Sequence, residues 1–165
     1  MSGARTALAV VAAVLGLAAP VRGDDAETVA ADMTFYVTLT ARLLETAVAL
    51  DEVSREADGE CAFISVLTFA ARSSALGYQV SQLSMLRRLA WTEDPELRAF
   101  AEPRHDALRS LLPGVMDRDL QLIAGHLEST SGEGWPPRFH ELLRDLESTL
   151  RLARDMMSGD GSAEE

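Results

Sequence analysis

The chain has 165 residues, with 26 Asp and Glu against 15 Arg, no Lys, and a formal charge of −11. That balance excludes nucleic-acid binding, which needs a basic surface to neutralise phosphates, and disfavours adsorption to anionic membranes. One cysteine excludes an intramolecular disulfide, and a chain of this length buries enough apolar surface to fold without a metal.

Residues 1–23 read as a cleavable secretory signal peptide. Arg5 gives the positive start, residues 7–19 are an unbroken run of small and aliphatic side chains, and Gly23 offers a small residue for cleavage before Asp24. The run is too short for a stable membrane anchor. The expectation is an exported protein, periplasmic or secreted, with no stable anchor after cleavage. Losing Arg5 and Arg22 deepens the formal charge to −13. Arg without Lys, amid abundant Ala, Leu and Val, matches the codon usage of a GC-rich bacterium.

Helical periodicity recurs along residues 24–158, and no strand-like alternation or internal repeat interrupts it. The first predicted helix runs from Asp24 or Asp25 to about Asp58, with Val29, Met33, Tyr36, Val37, Leu43, Leu44, Ala47, Leu50 and Val53 on its apolar face. Asp58-Gly59-Glu60 stops it, with Gly59 suited to a left-handed position. A second helix starts at once, so the two form a hairpin.

The second helix, ending near Trp91, carries the most unusual stretch of the chain. From Cys61 to Leu86 its one charged residue is Arg72. Apolar side chains lie on nearly all its sides, which predicts a helix walled in by neighbours or by a partner subunit. Its Ser, Thr and Gln content suits lipid least. Its Ala, Ser and Gly suit close approach between helices.

Asp94-Pro95 restarts the chain as N-cap and first helical residue. The third element has Leu97, Ala101, Leu108, Leu112, Val115, Leu120, Ile123 and Leu127 on one face, interrupted by Pro103 and Pro113, which predict a kink or break. After a Ser- and Gly-rich loop, Pro136-Pro137 opens a fourth helix with Phe139, Leu142, Leu143, Leu146, Leu150, Ala153 and Met157 on its face. Residues 159–165 read as a disordered acidic tail. The predicted architecture is all-α, an up-down-up-down four-helix bundle.

Within that frame Arg72 needs a partner if buried. Counting outward from Gly59 places Glu45 opposite it, which predicts an Arg72–Glu45 ion pair. The other use for Arg72 is to hold an anionic small ligand in the core, with Tyr36, Tyr78 and Gln82 around it. Cys61, a candidate free thiol, is expected either to bridge two molecules or to pack as a small apolar residue at the hairpin end. Glu102 and His105 have the spacing of bundle di-iron ligands, but there is no second copy and Pro103 lies between them. His126 and His140 are dispersed, and no Cys-x-x-Cys-His, nucleophile elbow or phosphate loop occurs. No cofactor or catalytic centre is therefore expected. The functional expectation is non-enzymatic binding of a protein partner or of a second copy, with a small-ligand binder or sensor as the alternative.

Overall fold

The computed structural model describes residues 25–130 and 135–159. The expected leader, residues 1–23, falls outside these residues, as does the expected acidic tail apart from Gly159. The described chain is all-helical: α1 (Asp25–Ser54), α2 (Glu60–Ala90), α3 (Pro95–Ser129) and α4 (Pro137–Ser158).

Local chemistry sets each boundary. α1 unwinds through the tighter bonds Glu56 N–H to Val53 O (3.0 Å) and Ala57 N–H to Ser54 O (3.2 Å), several residues before the expected stop. Gly59 is the residue before α2, at φ 93°, so its left-handed backbone opens the second helix rather than closing the first. At α3 the carboxylate of Asp94 accepts hydrogen bonds from the amides of Glu96 (2.8 Å) and Leu97 (3.2 Å), with Pro95 as the first helical residue. α3 then runs unbroken through Pro103 and Pro113, each of which leaves one carbonyl of the preceding turn without its helical donor. α4 ends on Gly159 at φ 73°.

Each helix packs on its two neighbours in a ring: α1 on α2, α2 on α3, α3 on α4 and α4 back on α1. The shared core holds Tyr36, Leu43 and Leu50 of α1, Val66, Val80 and Leu83 of α2, Leu112, Met116 and Ile123 of α3, and Phe139, Leu143 and Leu150 of α4. A smaller cluster of Leu86, Ala90 and Ala101 seals the turn between α2 and α3. Small residues draw α1 and α2 together. Ser73 Oγ donates to the carbonyl of Leu43 (2.7 Å), and a β-carbon at Gly77 would lie 3.2 Å from the Leu44 side chain.

The expectation that α2 is walled in on nearly all sides is corrected. Val66, Phe69, Ser73, Leu76, Val80, Leu83 and Ser84 are buried. The stripe through Ile64, Ala71, Ala75, Tyr78 and Met85 is open to solvent. Four helices in a ring touch α2 from two sides and leave its outer side uncovered. α1 from Ala26 and the whole of α2 are long and apolar enough to cross a membrane by length and composition alone.

Candidate functional site

Arg72 leaves α2 on the side that faces α3. Its Nε donates to Asp119 Oδ1 (2.6 Å), and a terminal nitrogen reaches the same oxygen. Asp119 is buried while Arg72 is about a third exposed, so the guanidinium closes over a carboxylate that would otherwise be stranded in the core. The partner is thus on α3 rather than α1, and Glu45 lies exposed. Counting from Gly59 sets a height along the hairpin and says nothing of the side from which a residue leaves. The side of α2 occupied by Arg72, however, is the one turned to α3.

Beside this pair lies a groove of about 330 Å³ lined by Thr68, Phe69, Arg72, Gln121, Leu122 and His126, among others. At its end the His126 ring sits in an aromatic box, with ring centres 5.3 Å from Phe69, 4.7 Å from Trp135 and 5.2 Å from Phe139. Its Nε2 is out of solvent and has no hydrogen-bond partner among the described residues. Burial holds the imidazole below its usual pKa, and the nearby His140 adds to that effect. His140 itself bonds Thr130 Oγ1 (2.9 Å). The box draws on α2, α3, α4 and the segment before α4, a convergence that no local spacing announces.

The other residues expected around Arg72 are scattered. Tyr36 is buried elsewhere, its hydroxyl 3.4 Å from His105 Nε2, and burial raises its phenol above the usual range. Tyr78 is 65% exposed on the outer side of α2, and Gln82 is half-buried. Cys61 is exposed, not packed as a small apolar residue. Among the described residues no group of three His, Cys, Asp or Glu converges as metal ligands.

The largest unexplained feature is the outer surface of α2. Between Glu60 and Arg87 it presents no charge, because Arg72 is turned away to Asp119. Ile64 (53% exposed), Tyr78 and Met85 (56%) stand along it, and Leu44 and Val48 of α1 are exposed too. Leu44 lies against Gly77, so the apolar surface runs across both helices. Exposed apolar residues elsewhere, such as Phe100 beneath Arg104 or Leu152 beside Arg151, are interleaved with charges. No protein-family model, curated protein or solved structure matches this chain.

Proposed function

We propose that this is an exported, non-enzymatic binding protein that engages a protein partner through the outer surface of α2 and the adjoining edge of α1. One observation carries the reading: a charge-free apolar surface on a strongly acidic molecule. Monomeric soluble proteins rarely leave such a continuous patch uncovered, and in a chain a quarter charged its neutrality over more than six helical turns has no source in the bundle's own packing. Contacts pairing residue 73 with 43, 72 with 119 and 154 with 117 support the up-down-up-down connectivity. Bends at Pro103 and Pro113 and export by residues 1–23 belong to the same reading.

The test is cross-linking of the full chain in its own compartment, with Tyr78→Asp and Met85→Asp in parallel. The reading expects a protein adduct that both substitutions remove while the helical content stays unchanged. Adducts that survive both would overturn it.

A second reading, a small anionic or aromatic ligand held in the groove beside Arg72 and His126, has the groove itself in its support. Arg72 is already committed to Asp119, which makes it the weaker reading. Titration of small carboxylates followed by the His126 ring resonances would decide it, with Arg72→Met expected to abolish any shift.

A further inference from the structure

Resting on the groove reading above, we infer that the groove between α2 and α3 takes one small monocarboxylate with an apolar body. Its carboxylate lies on Arg72 and its body in the space left by Gly125. Arg72 carries the polar half. Its Nε and one terminal nitrogen engage Asp119 Oδ1, which uses one edge of a planar fork with five N–H groups. The other terminal nitrogen, Nη1, is left free of Asp119 on a side chain that lines the groove and is partly wet. Asp119 fixes the fork in place, so its remaining donors are already oriented for a second carboxylate.

The rest of the lining limits the ligand to one negative charge. Thr68 Oγ1 donates to the carbonyl of Ile64 (2.8 Å) and Ser129 Oγ to that of His126 (3.1 Å). Both hydroxyls have turned their proton inward and offer an anion nothing but lone pairs. Gln121 adds an amide donor, and His126, its pKa lowered by burial, brings no charge at neutral pH. No second guanidinium lines the groove among the described residues. A phosphate or dicarboxylate would bring charge that nothing there balances, on a molecule already at −11. Gly125 carries the apolar half, beside Phe69 and Leu122. It lies inside α3, where a glycine weakens the helix, and a β-carbon there would meet no atom within 4 Å. Packing between helices therefore has no need of a glycine at this position, and its effect is to keep the groove open. A volume of about 330 Å³ is at the small end of ligand pockets, which suits a ligand the size of benzoate.

The experiment titrates the full chain at neutral pH with benzoate, its uncharged counterpart benzamide, succinate and phosphate, following the His126 ring resonances. Benzoate is expected to shift them to saturation and to bind at least about tenfold more tightly than the other three, the worth of one charge-assisted contact. Gly125→Leu, which meets no clash and favours the helix, should melt no lower than the parent and weaken benzoate by about tenfold or more. Arg72→Met with Asp119→Leu, which strands no charge, should level benzoate with benzamide. Benzamide, succinate or phosphate binding within about tenfold of benzoate overturns the monocarboxylate and leaves the groove as a ligand site. A preference for benzoate that persists in the double variant does the same. Benzoate binding that Gly125→Leu leaves unchanged, or no shift with any of the four probes, overturns both.

Discussion

Arg72 and Asp119 join the middles of α2 and α3 through two guanidinium nitrogens on one carboxylate oxygen. Because Asp119 is buried and Arg72 partly wet, the loss is asymmetric. Arg72→Met strands a buried carboxylate and should destabilise by about 2–3 kcal/mol, below the full cost of breaking a deeply buried pair. The double variant Arg72→Met with Asp119→Leu should recover to within about 1 kcal/mol of the parent. Urea denaturation of the three proteins measures both.

His126 makes stability pH-dependent. Its folded pKa is depressed, so the folded state favours the neutral ring, and that contribution is complete above the ordinary histidine range. As pH falls below about 6.5 the unfolded chain takes up the proton first and stability drops. Thermal melts from pH 8 to pH 5 should show a decline that His126→Phe flattens.

Gly59 holds φ 93° at the entry to α2, with open space around it. Gly59→Ala meets no clash, and its cost is backbone strain alone, about 1–2 kcal/mol. Gly77→Ala is the contrasting case. The added methyl approaches Leu44, a half-exposed side chain able to shift, while helix propensity gains up to about 1 kcal/mol. It should melt within a few degrees of the parent.

Ser73 sits fully buried against the carbonyl of Leu43. Ser73→Ala should cost about 1 kcal/mol, the net worth of one hydrogen bond. Ser73→Leu forces α1 and α2 apart and should cost more than about 2 kcal/mol. Chemical denaturation compares the two.

Much of the architecture was legible because helix-making chemistry is local. Asp94-Pro95 marked the start of α3 to the residue, and every residue predicted for the α4 face is buried except the half-buried Leu142. Pro103 and Pro113 pointed to one kinked or broken rod, and α3 is a single helix through both; sequence alone could not say that the helix would stay continuous despite a missing bond at each. The α2 surface misled. Apolar residues on all sides say that cover is needed but not where it comes from, and α1 and α3 supply it on two sides while the outer side stays open. Arg72 and the His126 box depend on which side of a helix meets which neighbour, a choice made by packing across distant parts of the chain.

The tight seating of Ser73 and Gly77 on α1 also has a bearing on how the molecule assembles. Residues 55–59 are a short tether between two helices whose contacts are near in sequence, so closing that loop sacrifices little chain entropy. The α1–α2 hairpin should therefore zip up ahead of α3 and α4, which then dock onto a preformed pair.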